Sequence, residues 1–210
     1  MPKVAILRDG GGGDWKLDYV TTLEQARATF DPIIVGRPTK GFLGNTHWVT
    51  YLPHDPGDND PTNYIDMEWT EGPFVVERVL FQKAGSGLAA GATIQVVQLV
   101  GLAVEVKNAV RCVSEDCYDL KQSSRYVLLL NRGRNGKRFV MDNFNLGRFN
   151  TDGTDCEDEA DVTNGLNDDG SKTDKQKLRD ELTAQYNITF APMRPARGIS
   201  AFVLGRCQHR

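Results

Sequence analysis

The sequence predicts a mainly β protein with one short N-terminal helix and one helix in its C-terminal region. Apolar and β-branched runs of strand length recur along the chain, and 21 glycines and 9 prolines lie mostly between them. Only two segments carry apolar residues at clear helical spacing. Because these helices are short and do not alternate with the strands, the pattern argues against a doubly wound α/β sheet.

Length and composition place the chain among ordinary globular proteins. Its 210 residues suffice for one large domain or two small ones, and 40% hydrophobic with 25% charged residues excludes a disordered chain, a collagen and a coiled coil. The net charge of −3 gives no overall attraction to nucleic acid. No segment reaches the roughly 18 apolar residues of a membrane span, so we expect no membrane-spanning helix. The apolar run at the N-terminus is too short for a signal-peptide core.

Four segments are predicted along the chain. Residues 1–16 include the glycines 10–13 and are expected to be a flexible N-terminal segment. Residues 17–150 hold most of the predicted strands. Residues 151–172 form an acidic loop, and residues 173–210 form a helix and a final strand that pack on the β domain.

The first helix is predicted to begin at a capping box. Thr21 and Glu24 have the spacing at which a threonine and a glutamate cap each other's backbone N–H groups. Three apolar residues then share one helix face: Leu23, Ala26 and Phe30. Asp31 precedes Pro32, and a residue before proline avoids the helical conformation, so the helix ends there.

The second helix is predicted over residues 173–186. Thr173 has the spacing to cap it, with Gln176 at the third helical position. Three residues follow at helical spacing and define its apolar face: Leu178, Leu182 and Tyr186.

The predicted strands are short and separated by turn residues. They lie at 33–36, 47–52, 64–69, 74–81, 92–99, 125–130, 137–141 and 199–204. Asn135 and Gly136 are a strong turn signal, so the strands at 125–130 and 137–141 are expected to form a hairpin. Three prolines and a glycine indicate a long exposed loop at 53–63.

The acidic segment is a candidate calcium site. Residues 151–170 contain eight acids and no lysine or arginine, and Ca²⁺ takes six to eight oxygen ligands from flexible loops. The candidate ligands are Asp152, Asp155, Asp158, Asp161, Asn167 and Asp169. Gly165 and Gln176 fall where an EF-hand has its first and last ligands, so the segment departs from that motif. The alternative is a solvated, flexible loop whose acids repel one another.

A basic cluster at the predicted hairpin is a candidate surface for nucleic acid or another polyanion. Its candidate binding residues are Arg132, Arg134, Lys137 and Arg138. Tyr126 and Phe139 could stack on bases only if their side chains face outward. The alternative is a solvated hairpin that pairs with the acidic loop.

The cysteines permit a disulfide framework. The even count and the turn-rich chain are compatible with two bonds, Cys112–Cys117 across a short loop and Cys156–Cys207 across a long one. Free structural thiols and a metal site stay open as alternatives, although no second Cys/His pair completes a zinc motif. The chain lacks the H-E-x-x-H, G-x-S-x-G and phosphate-loop motifs, so the sequence does not predict an enzyme.

Six segments then follow one another in a recognisable order, from a helix through a strand pair to a Gly-Arg-Phe corner. They are Tyr19 with Leu23-Glu24, and residues 31–36, 74–80, 91–98, 126–130 and 147–149. This order resembles a little-characterised domain of secreted and lipoprotein-type bacterial proteins. The resemblance implies an OB-like (netrin-like) β-barrel over residues 17–150, located outside the cytoplasm and without an assigned activity. Some netrin-like proteins inhibit metalloproteases through an N-terminal cysteine, but this chain has Met1, so that activity is not carried over.

These observations together predict a non-enzymatic, extracytoplasmic or secreted module for protein–protein or self-assembly contacts. A cytoplasmic location is the alternative, since the cysteines permit either compartment. Two alternative functions remain: binding of Ca²⁺ or another ligand through the acidic loop, and binding of nucleic acid through the basic hairpin.

Overall fold

The secondary structure is dominated by strands. The structure, a computed structural model, describes residues 4–7, 20–51, 65–105, 108–113, 118–133, 136–141 and 143–192. The strands are β1 (Val4–Leu7), β2 (Ile33–Pro38), β3 (Thr46–Tyr51), β4 (Ile65–Phe81), β5 (Thr93–Gln98), β6 (Val100–Glu105), β7 (Asn108–Val113), β8 (Tyr126–Leu129), β9 (Asn131–Arg132), β10 (Arg138–Val140) and β11 (Arg148–Asn150). The helices are α1 (Leu23–Thr29), α2 (Glu159–Val162) and α3 (Asp174–Tyr186).

The 17-residue strand β4 is the longest described strand, and three other strands of the sheet pair with it. β3 pairs with its first part and β2 with its second part, both antiparallel, and β5 pairs with the opposite edge. The separate strands predicted at 64–69 and 74–81 are therefore one strand, and that prediction was wrong. Pro73 is tolerated because its nitrogen faces the junction between β3 and β2, where its carbonyl accepts the N–H of Thr39 at 3.0 Å.

The main sheet has nine strands and curls into a half-barrel. Its order is β11-β8-β2-β4-β5-β10-β9, with β3 and then β1 branching from β4, while β6 and β7 form a separate two-stranded sheet. The mainly β prediction is confirmed. The prediction of two helices was incomplete, because α2 forms inside the segment that was expected to be a loop. Val4–Leu7 pairs in parallel with β3, inside the segment expected to be flexible.

Both faces of the central strands are buried. In β2, Ile33 and Val35 face one apolar cluster and Ile34 the other, and β8 alternates in the same way. The first cluster lies between the sheet and helices α1 and α3; it includes Leu23, Ala26, Phe30, Val127, Leu129, Phe149, Leu178 and Leu182. The second lies on the other face; it includes Phe74, Val76, Ile94, Val96, Tyr126, Leu128, Phe139 and Met141. This explains why the strands at 33–36 and 126–130 are continuous apolar runs without alternation.

The predicted helices are present with one change at a cap. Helix α1 has its capping box on Thr22 and Gln25, not on Thr21 and Glu24, because the Gln25 side chain accepts the backbone N–H groups of both Thr21 and Thr22. Helix α3 begins as predicted, with the Thr173 hydroxyl accepting the N–H of Gln176 at 3.1 Å.

The predicted hairpin between 125–130 and 137–141 was wrong in its pairing. β8 pairs with β2 and β11, whereas the hairpin is made by β9 and β10. β8 lies instead between β2 and β11, where all four of its residues are buried. The predicted strand at 199–204 and the loop at 53–63 lie outside the described residues. None of the helices in the described part of the chain is long and apolar enough to cross a membrane.

The bulged pairing of β2 with β4 makes a stability prediction at Gly36. A Cβ added there would lie 2.0 Å from the carbonyl oxygen of Val75 and 2.6 Å from the ring of Phe74. We expect Gly36→Ala to lower the free energy of unfolding by about 3 kcal/mol in urea denaturation, because the backbone must shift. Gly44→Ala is the control, since its Cβ would meet only Lys40 at 3.8 Å. Equal stability of the two variants would contradict this account of the β2–β4 contact.

Candidate functional site

The first feature of the site is a fully buried ion pair between the acidic segment and the sheet. Arg148 on β11 donates from Nη2 to Oδ2 of Asp155 at 2.7 Å, and both side chains are completely buried. Its Nη1 donates to the carbonyls of Tyr118 (2.7 Å) and Asp119 (3.0 Å). The Tyr126 hydroxyl donates to the same Asp155 oxygen at 2.8 Å. Burial, followed by the nearby charge of Asp155, raises the pKa of Tyr126, so the phenol stays protonated and can donate.

A second buried pair joins the segment to helix α3. Asp158 accepts the N–H of Asn150 at 2.6 Å and, as the N-cap of α2, the N–H of Ala160 at 3.2 Å. Nζ of Lys175 lies 3.6 Å from Asp158 and donates to the carbonyl of Asn145 at 2.7 Å. Burial acts to raise the pKa of Asp158, but Lys175 and the Asn150 N–H hold it below its ordinary value. Burial lowers the pKa of Lys175, and Asp158 opposes that effect.

The third pair, between Arg179 and Asp161, leaves one hydrogen-bonding atom unused on each side chain within the described part of the chain. Nη1 of Arg179 donates to Oδ1 of Asp161 at 3.0 Å, each side chain is only 7% exposed, and the guanidinium lies 4.6 Å from the centre of the Phe190 ring. Oδ2 of Asp161 and Nε of Arg179 are buried and have no hydrogen-bond partner among the described residues. Burial raises the pKa of Asp161, and Arg179 only partly opposes it. This pair therefore keeps one acceptor and one donor unused.

We call these three contacts the ion-pair layer: Arg148–Asp155, Lys175–Asp158 and Arg179–Asp161. Its acids come every third residue through the turn and α2, and its cations come from β11 and α3. The expectation of a solvated loop with mutually repelling acids was wrong for these three. A signal was present, since Lys175 and Arg179 are spaced i and i+4 on the side of α3 that also carries Leu178.

The predicted calcium ligands do not gather at one point. Asp152 accepts the N–H of Arg125 at 3.0 Å, and the carboxylates of the ion-pair layer bind protein cations. Asn167 and Asp169 lie in an exposed turn, where Asp169 accepts the N–H of Ser171 at 2.9 Å. Within the described residues, no group of three or more His, Cys, Asp or Glu side chains is placed to hold a metal ion. The calcium site remains a prediction, with most of its proposed oxygens already hydrogen-bonded.

The predicted basic cluster is divided among different partners. Arg132 donates to the Ser86 carbonyl at 2.8 Å and lies over Phe139, and Arg138 pairs with Glu71 at 3.0 Å. Lys137 is exposed, and Arg134 lies outside the described residues. The side chains of Phe139 and Tyr126 are buried, so neither offers a ring for stacking on a base.

The cysteine predictions fall mainly on parts of the chain that are not described. Cys112 is in β7, where its backbone pairs with Gly101, and Cys117 and Cys207 lie outside the described ranges. Cys156 is a half-buried thiol. No disulfide occurs in the part of the chain that the structure describes, and both predicted pairings stay predictions.

His47 lies in an enclosed environment that is typical of a core residue. Its Nδ1 lies 2.9 Å from the Thr70 hydroxyl, which itself donates to the Val100 carbonyl at 2.5 Å. Thr70 therefore accepts from His47, which fixes the imidazole tautomer. Burial lowers the pKa of His47, and Phe42 packs on it edge to face at 4.7 Å. The imidazole is neutral and enclosed, which suits a core residue.

An open cleft of about 480 Å³ lies beside the third ion pair, at the C-terminal end of α3. Its walls include Asp161, Gln176, Arg179, Thr183, Asn187 and Phe190. The cleft thus combines an ion pair that has unused polar atoms with the apolar side chains of Ile188, Phe190 and Pro192 in its wall. Its size is within the range of ligand-binding sites.

A second groove, of about 500 Å³, lies between α1 and α3. Two of its charged side chains already have partners: Glu181 accepts the N–H of Leu23 at 2.5 Å, and Arg27 donates to the Tyr186 hydroxyl at 2.9 Å. We therefore take the first cleft, and not this groove, as the candidate site.

Comparisons with known proteins give no relative: no family model, no curated protein and no solved structure matches the chain. The resemblance to a secreted netrin-like domain consequently stays an expectation. The case for function rests on the residues themselves.

The ion-pair layer predicts a large cost for removing Lys175. We expect Lys175→Met to lower the free energy of unfolding by about 3 kcal/mol at neutral pH, because Asp158 stays buried without its cation. Lys177→Met is the matched control on the same helix: its pair with Asp174 is about half exposed, and we expect about 0.5 kcal/mol or less. Urea denaturation of both variants measures the difference. Similar losses in the two variants would contradict the assigned role of burial.

The loss of stability caused by Lys175→Met should also depend on pH. The lowered pKa of Asp158 means that this carboxylate stabilises the fold above its ordinary pKa of 3.8, and that the contribution is lost as the pH falls through the lowered value. A protonated Asp158 needs no cation. The penalty of Lys175→Met should therefore shrink when denaturation is repeated at acid pH, and a penalty that grew would contradict the assignment.

Proposed function

We propose that this protein is a non-enzymatic module for protein–protein contacts, and that the cleft beside Asp161 and Arg179 is its contact surface. The partner is a segment of another protein or of a second copy of this chain. The observation that carries the proposal is the third ion pair, which borders an open cleft while a buried donor and a buried acceptor lack partners in the described structure.

The energetics favour a bound partner at this point. A buried polar atom without a hydrogen bond costs roughly 1–3 kcal/mol, so a ligand that supplies the missing bonds recovers that energy on binding. The cleft lining also includes the apolar side chains of Ile188, Phe190 and Pro192, which lie beside the polar centre. Protein contacts commonly combine a few buried polar anchors with apolar neighbours.

The two alternative functions have less support. Calcium would have to displace Arg148, Lys175 or Arg179 from the carboxylates of the ion-pair layer. Nucleic acid would have to compete with Glu71 for Arg138 and would find buried aromatic rings. Nucleic-acid binding at the hairpin does not use the cleft, and calcium binding would share only Asp161 with it.

The finer identity of the fold and the location of the protein belong to the proposal as well. We propose that the curled sheet is an OB-like barrel wall and that the protein acts outside the cytoplasm or is secreted. Both rest on the resemblance of residues 19–150, and the cytoplasmic alternative stays open to test by counting thiols in the denatured, unreduced protein.

A displayed library of random peptides tests the contact function. Peptides selected on the wild-type protein should bind it with micromolar Kd and bind Arg179→Lys at least roughly tenfold more weakly, because lysine lacks the planar set of donors. Lys177→Ala, on the same helix but outside the cleft, should bind like wild type.

Thermal melts first establish that the Arg179→Lys and Lys177→Ala variants are folded. A concentration-dependent dimer that Arg179→Lys abolishes would identify a second copy as the partner and support the proposal. The absence of any selected peptide or dimer, or equal binding to wild type and Arg179→Lys, would overturn it.

A further inference from the structure

The unused atoms of the third ion pair also specify a ligand chemistry. We infer that the cleft recognises an uncharged primary amide, the side chain of Asn or Gln, on the partner segment. This inference rests on the proposed function, because it names what the contact surface binds.

The hydrogen-bonding inventory of the pair points to an amide. Nε of Arg179 is a donor without a partner in the described structure, and Oδ2 of Asp161 is an acceptor without one. A primary amide, as in Asn or Gln, carries an acceptor carbonyl and a donor N–H on the same side of one rigid plane. The C=O and N–H of a trans peptide group point in opposite directions, and a hydroxyl or an ether has fewer or less rigidly arranged groups. A primary amide is therefore the group that offers an acceptor to Arg179 and a donor to Asp161 together.

The charge balance argues against an ionic ligand. Asp161 and Arg179 neutralise each other, and the remaining acid of the cleft, Asp180, pairs with Lys172 at 2.6 Å. A carboxylate ligand would add a second negative charge beside Asp161 in a largely buried place, and an ammonium would compete with Arg179 for the same oxygens. A neutral ligand adds no uncompensated charge, and uncompensated charge is expensive in such a site.

The position of Phe190 suggests how the amide enters. Its half-buried ring lies over the Arg179 guanidinium, and Nε and Oδ2 are buried at the cleft wall. Access therefore requires the ring to tilt away from the guanidinium. Phe190 immediately precedes Ala191 and Pro192, which also line the cleft, so this wall is a short stretch of chain.

Nuclear magnetic resonance of the full chain tests the inference with small probes. The Nε–H signal of Arg179 reports directly on the unused donor. With N-acetylglycinamide at millimolar concentration we expect a saturable shift of this signal and of the Phe190 amide. Sodium acetate and methylammonium chloride, at the same concentration and ionic strength, should give no saturable shift of the Nε–H signal.

Asp161→Asn gives the matched variant, because it keeps the shape and removes the anionic acceptor. It should bind N-acetylglycinamide at least tenfold more weakly, judged by the Phe190 amide, while Asp174→Asn, outside the cleft, binds like wild type. A saturable shift with acetate or methylammonium alone would overturn the amide assignment and leave the contact function standing. Selected peptides that bind the cleft without shifting the Arg179 Nε–H signal would also overturn it, and failure of every peptide would instead overturn the contact function.

Discussion

The buried pair of Asp155 and Arg148 holds the acidic segment against the sheet, and the rest of residues 151–192 depends on it. Among the described residues Arg148 is the largest side chain with no exposed surface, and its donors reach two backbone carbonyls as well as the carboxylate. A buried guanidinium without its carboxylate would be strongly destabilising. The chain after β11 must therefore return to this point, which sets the path of the following turn.

Two further pairs extend that constraint to the helices. Asp158 caps α2 and meets Lys175, and Asp161 follows on α2 and meets Arg179. Replacing such pairs with apolar residues can be neutral or stabilising, so their value here is the arrangement that they specify. We propose that they fix the register of α3 on the sheet, since a one-residue rotation of α3 would leave both cations buried away from their acids. The outer edge of β11 is also covered, because the Asn150 N–H binds Asp158 instead of facing solvent.

Sequence patterns correctly predicted the structural features that depend only on residues close together in the chain. The run at 33–36 and the cap at Thr173 depend on residues within a few positions, and both occur as predicted. Strand β4 continues through Gly72 and Pro73 because β3 and β2 meet along one side of it. Glycine and proline are local turn signals, so the sequence predicted two strands where there is one. The ion-pair layer was missed for the same reason: spacing among the acids suggested a cation, but not that the cations would come from Arg148 and α3.

The cleft follows from the incompleteness of the third pair. In the first two pairs both oxygens of each carboxylate are hydrogen-bonded, although Nε of Arg148, like Nε of Arg179, has no partner among the described residues. In the third pair the carboxylate of Asp161 also keeps an unused oxygen, and this pair borders open space. The proposed contact surface therefore lies at the third ion pair, where the hydrogen bonds of the ion-pair layer are incomplete.

Amide hydrogen exchange at Asn150 tests the central claim most directly, since its N–H donates to Asp158 inside the ion-pair layer. If the layer ties the acidic segment to the sheet, this amide exchanges only through global unfolding, with the same free energy as the core amides of β8. Ser171, in the exposed turn, serves as the rapidly exchanging reference. Exchange of Asn150 through a local opening well below the global free energy would contradict the account.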